Sequence, residues 1–215
     1  MNEFQSWHND TLGAKTVEAL NKNNFQATYA KTCQEAVEKV LALIPADATV
    51  GMGGSWTNIE DLSLADLLEK RGHTVYNHNK PGLTPEQVND YRHKQLGCDV
   101  FLSGSNAVTL DGQLVNVDGA GNRVAAMIFG PKKVIIIAGI NKITRDVPEA
   151  EQRIQLYAAP INNKRLNRPN PCTKTGICMD CQGPTRICNI TTILRKKPAG
   201  IGEYHIIIVG ESLGF

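Results

Sequence analysis

The chain has 215 residues, of which 41% are hydrophobic and 20% are charged, and its formal net charge is +2 at pH 7. These values are ordinary for a globular protein, and the length suffices for one α/β domain with a sizeable core. A charge this small, without a recognisable basic face, argues against nucleic acid as the main partner. The longest apolar runs, 134–138 and 206–209, are far shorter than the roughly 20 residues of a membrane-spanning helix.

The opening segment MNEFQSWHND has neither a basic start nor an apolar run, so it predicts no secretory signal. We therefore expect a cytoplasmic protein in a reducing compartment. In such a compartment, clustered cysteines favour metal or redox chemistry over a disulfide framework.

Helices and strands alternate through the first half of the chain. Two capping boxes, Thr32-x-x-Glu35 and Thr57-x-x-Glu60, predict helix starts, because the hydroxyl and the carboxylate can each satisfy a free amide there. The predicted helices cover 3–22, 32–44, 57–71 and 84–97, and the predicted strands cover 25–29, 49–52, 74–77 and 99–103.

The second half adds a hairpin to this alternation. Asp111-Gly112 lies between two apolar segments of 108–117, which is a strong hairpin signal. The pattern predicts an α/β fold: a mostly parallel sheet with helices on both faces and an inserted hairpin. We predict that residues 1–215 form a single domain with a cysteine-rich loop at 171–189. The later helices cover 124–129 and 148–158, and the later strands cover 133–138 and 205–209.

Small polar residues follow two of the predicted strands. Residues 51–57, GMGGSWT, lie between a strand and a helix, where glycine lets the backbone approach a ligand and free amides favour an anion. The alternative is a tight turn in which Ser55 or Thr57 only caps the helix. The segment 103–106, SGSN, follows another strand, and open α/β sheets bind ligands at that edge. Its alternative is a bulge leading into the hairpin.

A third polar segment, 118–123, precedes the helix at 124. Asp118 can cap this helix or act on a substrate. Arg123 stands in the first turn, against the helix dipole, so a carboxylate or phosphate partner would explain its position. The alternative is a solvent-facing or salt-bridged arginine.

Four of the six cysteines lie within 171–189, with the spacing C-x5-C-x2-C-x6-C. Four thiolates in a short span can enclose a zinc ion or bind an iron–sulfur cluster. Structural zinc sites usually contain two close pairs, whereas the outer cysteines here stand alone, and this favours a cluster. The spacing also differs from the common ferredoxin patterns, so reduced cysteines without metal, or a disulfide pair, are further alternatives. The four candidates are Cys172, Cys178, Cys181 and Cys188.

Several blocks of the sequence resemble the LUD-domain family, in its lactate-utilisation protein C group. They are GMGGSWTN at 51–58, the central block 103–143, PCTKTGICMDCQGPTRICN at 171–189 and GESLGF at 210–215. The resemblance extends over nearly the whole chain. It implies a fold similar to the sugar-phosphate isomerase and CoA-transferase superfamily, in agreement with the predicted α/β architecture.

The resemblance also implies a function, because some members belong to bacterial operons that oxidise L-lactate to pyruvate beside iron–sulfur partner subunits. We expect a subunit of a lactate, or 2-hydroxy acid, oxidation and electron-transfer system with a small anionic substrate and an iron–sulfur site, or zinc instead. The alternatives are a stand-alone enzyme acting on a CoA ester or sugar phosphate, and a non-catalytic protein with a structural zinc. Carried over by position, the predicted catalytic residues are Asp118 and Arg123, and the predicted ligand-binding residues are Gly53, Gly54, Ser55, Ser103, Asn106 and Asn122. Glu211 is a further catalytic candidate because it follows the last strand, without a match to the catalytic glutamate of the transferases.

Overall fold

The computed structural model describes residues 2–215. Within them the chain forms ten strands, in two sheets, and eight α-helices. The strands are β1 Gln26–Ala30, β2 Val50–Met52, β3 Val75–Asn77, β4 Val100–Gly104, β5 Ala107–Thr109, β6 Leu114–Asp118, β7 Lys133–Gly139, β8 Ile143–Thr144, β9 Ile190–Leu194 and β10 Glu203–Val209. The α-helices are α1 Glu3–Lys22, α2 Cys33–Leu43, α3 Leu64–Lys70, α4 Pro85–Leu96, α5 Asn122–Ile128, α6 Val147–Arg153, α7 Ala159–Arg165 and α8 Cys172–Thr175.

The larger sheet has six strands in the order β1-β10-β7-β4-β2-β3, and every neighbouring pair is parallel. Its central strands are buried on both faces, as their continuous apolar runs predicted. Along β10, Ile206 and Ile208 pack into one core cluster while Ile207 and Val209 pack into the other. Helices α2 and α3 contribute to the first face, and α1 and α5 to the second, so the predicted α/β fold is confirmed.

The predicted hairpin is present, but it lies in a second sheet. Ala107 pairs with Val115 and Val108 with Leu114, in antiparallel register. This hairpin forms a four-stranded sheet in the order β8-β5-β6-β9 and does not join the parallel sheet. The sequence did not predict β8 and β9, because β8 has only two residues and β9 is a partly exposed edge strand without a clear alternation.

Two helix predictions need correction. The pattern Thr57-x-x-Glu60 does not form a capping box: Thr57–Asp61 is a π-helix without a side-chain cap. Ser63, with φ of 48°, separates this turn from α3. The helix predicted for 148–158 is also longer, because a second π-helical turn, Ile154–Ala158, joins α6 to α7, and Pro160 sits in the first turn of α7, where no N–H is needed.

Across residues 2–215, every helix falls short of the length and apolarity that a bilayer crossing requires. The short apolar segments that the sequence placed in strands are indeed strands of the buried sheet, β7 and β10.

Candidate functional site

A cavity of about 400 Å³ opens at the carboxyl edge of the parallel sheet. The segments that follow β2, β3, β4 and β7 form part of its wall, and residues 184–187 of the cysteine segment form another part. The carboxyl ends of parallel strands are where open α/β sheets bind ligands, because the loops there converge while the helices cover the sheet faces. The location agrees with the sequence prediction, which placed the polar loops at this edge.

Six of the nine predicted site residues outside the cysteine segment line this cavity. They are Gly54, Ser55, Asn106, Asp118, Asn122 and Arg123. Their predicted roles in binding and catalysis stay predictions, but the structure brings these residues together from three separate segments of the chain.

Gly53, Ser103 and Glu211 are not among the cavity-lining residues. A Cβ on Gly53 would lie 2.9 Å from Ser103 Oγ and 3.1 Å from Arg123 Cγ, so glycine is needed there for packing behind the cavity wall. Ser103 is fully buried and donates to the Gly104 carbonyl. Glu211 accepts a hydrogen bond of 2.7 Å from the Cys33 amide at the start of α2, and this bond lowers the pKa of its carboxyl group.

Arg123 is held by acceptors of the protein itself. Its Nε lies 3.3 Å from Asp118 Oδ2, so Arg123 is salt-bridged within the protein, which was the alternative interpretation of its position. The other bonds of the guanidinium go to the carbonyls of Gly104 and Val117 and to the side chains of Asn106 and Asn116. A guanidinium has five N–H donors, so this network uses its capacity and makes Arg123 the clamp that joins the loops after β4 and β6.

The cavity lining is strongly cationic. Its one carboxylate among the described residues, Asp118, is already paired with Arg123. The Nε atom of Arg92 is buried and has no hydrogen-bond acceptor within residues 2–215, which is a costly state unless a ligand or water supplies one. The cationic residues in the lining are Arg92, Arg123, Lys142, Arg165, Arg168 and Arg186.

His78 responds to this positive field. Burial, and then the charge of Arg92, lower its pKa from 6.5 to about 4. Its ring is therefore neutral at physiological pH, and Nδ1 lies 2.9 Å from Gln95 Nε2, an amide that also donates to the carbonyls of Met52 and Tyr76. His78 therefore adds no charge to the cavity. Because its Nδ1 accepts from the Gln95 amide, its Nε2 carries the proton and serves as a hydrogen-bond donor.

Lys142 is a lining residue that the sequence did not single out. It ends the 3₁₀ turn Ile140–Lys142 directly after β7, and only 4% of the residue is exposed. Its Nζ donates a hydrogen bond of 3.2 Å to the Thr57 hydroxyl, which explains why Thr57 does not cap a helix. The signal that could have found it is its place after a buried strand, the same signal that identified the polar loops after β2 and β4.

The lining arginines on helices α4 and α7 had no such signal. Arg92 lies on α4 and Arg165 on α7, and a lone arginine on a polar helix resembles a solvent-exposed residue in sequence. Only the packing of these helices brings both side chains to the sheet edge.

The four clustered cysteines surround a second, much smaller cavity of about 20 Å³. All four are free thiols. Burial raises the pKa of the Cys188 thiol to about 11, and the nearby Cys178 raises it further, as expected when thiols share a confined space. Asn170 secures this region, because its Nδ2 donates to Asn163 Oδ1 and to the Thr185 carbonyl.

The donor set fits a thiophilic metal in number and kind, since four cysteines are a common ligand set for zinc and iron–sulfur centres. In the positions described for residues 2–215, however, no three His, Cys, Asp or Glu side chains form a group that could hold a metal ion. The four thiols therefore converge on one small cavity without forming a metal-binding group within the described residues.

Arg186 connects the two cavities and lines both. Its guanidinium donates to the carbonyls of Cys181 and Cys188 and pairs with Asp180 at 2.8 Å. The cysteine segment thus fixes a cationic residue of the larger cavity.

A parallel sheet with a cationic cavity at its carboxyl edge defines an α/β protein of the kind that binds small molecules at strand ends. Residues 13–209 match the model of the LUD domain, and the chain belongs to that family, which is associated with lactate utilisation. The crystal structure of a DUF162 family protein from Deinococcus radiodurans is similar, with a TM-score of 0.56 and 13% sequence identity, over 94% of this chain and 98% of that one. At this identity the likeness establishes the fold alone. No curated protein matches the chain.

Proposed function

We propose that this chain binds a small carboxylate metabolite, a 2-hydroxy or 2-oxo acid, as a component of a lactate-oxidising system. The charge of the larger cavity supports this proposal most directly. Six cationic residues line it, and its one described carboxylate is neutralised by Arg123. An enclosed cationic site attracts an anion more strongly than exposed arginines do, because water screens the charges less.

Arg92 is the residue we expect to contact the ligand carboxylate. A guanidinium binds a carboxylate through two parallel hydrogen bonds, and the buried Nε of Arg92 has an unused donor for one of them. The Nε2–H of the neutral His78 beside it can donate a hydrogen bond to the hydroxyl or keto oxygen of the acid. The proposal therefore assigns recognition of the acid to groups on α4 and after β3.

The size of the cavity favours a second candidate, a larger anion such as a sugar phosphate or a CoA ester. A volume of about 400 Å³ lies in the range of sites for ligands much larger than lactate. The number of arginines also exceeds what one carboxylate requires. A phosphate-bearing ligand would use more of them, because each phosphate offers several acceptor oxygens.

Isothermal titration of the full chain tests both candidates, with L-lactate, pyruvate and a sugar phosphate as ligands. Arg92→Gln should weaken binding by about tenfold to a hundredfold, since a hydrogen bond to a charged group contributes roughly 1.5–3 kcal/mol. Arg71→Gln is the matched control, because Arg71 is exposed and is not a lining residue. If none of the three anions binds, or if both variants behave alike, the anion-binding proposal fails.

We also propose that Cys172, Cys178, Cys181 and Cys188 hold a metal, as an iron–sulfur cluster or as a single zinc ion. The convergence of the four thiols supports it, and the raised thiol pKa values mean that a bound metal would have to displace protons. An iron–sulfur cluster would supply one-electron transfer beside the anion cavity, whereas zinc would supply structure alone. The cavity volume of about 20 Å³ favours the single ion, and the clustered thiols suit a reducing, cytoplasmic setting.

Anaerobic purification followed by iron, sulfide and zinc analysis separates these outcomes. Iron and sulfide in equal amounts, with a visible absorption band, support electron transfer and the lactate-oxidising role with iron–sulfur partner subunits. One zinc per chain without sulfide points to a structural centre. A colourless protein that stays free of both metals after reconstitution would exclude a metal at the cysteines.

A further inference from the structure

Lys142 is buried, lines the larger cavity and has no acidic partner among the described residues. Its residue exposure is 4%, yet it lines the cavity. Among residues 2–215 its Nζ forms no ion pair; its hydrogen bond goes to the uncharged Thr57 hydroxyl. A buried lysine is normally paired, because an isolated ammonium in a poorly solvated site is costly. An unpaired one that faces a ligand cavity therefore needs another explanation.

The charges around Lys142 favour the neutral amine. Burial has the largest effect, and the cationic side chains of Arg153 and Arg123 act in the same direction, so the pKa falls from 10.5 to about 7. Asp61, on the π-helical turn, opposes this shift through its charge, and its carboxylate also accepts a bond of 2.7 Å from the Gly214 amide. A substantial fraction of Lys142 is thus unprotonated at neutral pH, and a neutral lysine amine is a nucleophile for carbonyl carbons.

Two arginines of special interest line the cavity together with Lys142. Arg123 is already saturated by protein acceptors, whereas Arg92 keeps an unused buried donor. A 2-oxo acid has a carboxylate for such a guanidinium and an adjacent ketone for the amine. A 2-hydroxy acid has the carboxylate but no carbonyl carbon to attack.

We infer that Lys142 forms a reversible imine with a 2-oxo acid bound in the cavity. The inference rests on the proposed function and names the residue that distinguishes the oxo acid from the hydroxy acid. The lone pair of Nζ attacks the ketone carbon, and the carbonyl electrons move to oxygen. A proton transfers from nitrogen to that oxygen, water leaves, and a C=N bond replaces the C=O bond. The step consumes one amine and one ketone, releases one water, and changes no oxidation state.

Reductive trapping tests this inference on the full chain. The protein is incubated with pyruvate and cyanoborohydride, which delivers hydride to the imine carbon and leaves a stable secondary amine, and the adduct is located by peptide mass mapping. We expect the adduct on Lys142, no adduct in Lys142→Met, and an unchanged adduct in Lys132→Met, because Lys132 lies on the surface with its side chain 81% exposed. L-Lactate, which lacks the ketone, should give no adduct.

The wild-type protein provides a second measurement that does not depend on how the variants fold. Trapping at Lys142 should increase between pH 6 and pH 8 and then level off, whereas modification of exposed lysines should continue to increase above pH 8. Equal trapping of Lys142 and Lys132 would overturn the inference.

Titration calorimetry distinguishes the failure of the imine from the failure of the site. If pyruvate binds and Arg92→Gln weakens its binding, but no adduct forms on Lys142, the imine is overturned and the anion cavity stands. If pyruvate does not bind at all, the proposed function fails for 2-oxo acids, and the imine fails with it.

Discussion

The two cavities of this protein are built in opposite ways. The larger one lies at the carboxyl edge of a six-stranded sheet, and most of its wall segments follow a buried strand or belong to a packed helix. The smaller one belongs mainly to the segment 171–189, which has one short helix, α8, and is otherwise irregular. A sheet edge is preformed by the core, whereas an irregular segment needs local contacts or a bound metal to hold its shape.

The cysteine segment is attached to the rest of the fold at a few points. The Cys178 amide donates to the Gln155 carbonyl on the second π-helical turn, and the Asn189 amide donates to the Asp118 carbonyl. Between these points Arg186 extends into the larger cavity. We therefore predict that substitutions at the sheet edge lower the stability of the fold. Substitutions in the cysteine segment should instead weaken ligand binding, through Arg186.

The largest effect is expected from breaking the clamp at the sheet edge. Arg123→Ala leaves the buried Asp118 carboxylate and several acceptors without a partner, which should reduce the free energy of unfolding by about 3–5 kcal/mol. Urea denaturation measures this loss of stability. The matched control is Arg145→Ala, which should change stability by less than about 1 kcal/mol, because that side chain is 76% exposed and pairs with Asp146 at the surface. Similar losses in the two variants would contradict the role of Arg123 as a clamp.

The next largest effect is expected in how the stability of the fold depends on pH. The pKa of Lys142 is lower in the folded protein than in the unfolded chain, so burial of its ammonium destabilises the fold below about pH 7, and this cost disappears as pH rises toward 10.5. Lys142→Met should therefore be more stable than the wild type at pH 6, by at most about 5 kcal/mol, and the difference should shrink at alkaline pH.

Denaturation curves at several pH values measure the difference between the two proteins. Lys22→Met serves as the control, because the Lys22 side chain is 73% exposed, and it should follow the wild type throughout. A stability gain for Lys142→Met that does not depend on pH would show that Lys142 is not buried as a cation.

A smaller loss of stability is expected behind the cavity wall. Gly53→Ala places a methyl group 2.9 Å from Ser103 Oγ and 3.1 Å from Arg123 Cγ, so the clamp must shift, at a cost of about 1–3 kcal/mol. Gly97→Ala is the matched control, because a Cβ there has no heavy atom within 4 Å. Thermal unfolding of the two variants should separate them, and equal stability would mean that the wall adapts without strain.

Substitutions in the cysteine segment should have the smallest effect on stability. They test most directly whether the two cavities are coupled. Cys178→Ser should leave the melting temperature within a few degrees of the wild type but weaken anion binding about tenfold. The Cys178 Sγ accepts a bond from the Asp180 amide, and Asp180 pairs with Arg186, so the substitution loosens the position of Arg186. Arg186→Gln should weaken binding to a similar extent. If Cys178→Ser leaves binding unchanged while Arg186→Gln weakens it, the two cavities are independent.

The sequence by itself determined the fold class and most of the polar loops. Apolar β-branched runs identified β7 and β10, and the helix predicted for 84–97 is present as α4. The segments 103–106 and 118–123 marked the cavity because they follow strand ends. These features depend on local chemistry: caps, turns and side-chain alternation are encoded within a few neighbouring residues.

Only the tertiary structure decided which charged side chains lie together at the larger cavity. Arg92, Lys142 and Arg165 come from two helices and a 3₁₀ turn that are far apart in the chain, and their convergence depends on how those elements pack on the sheet. The same packing gave Arg123 a protein carboxylate as its partner and left Glu211 at the start of α2. Burial also made Lys142 a lysine of low pKa, a property that no local pattern carries, because it arises from the removal of water by residues distant in sequence.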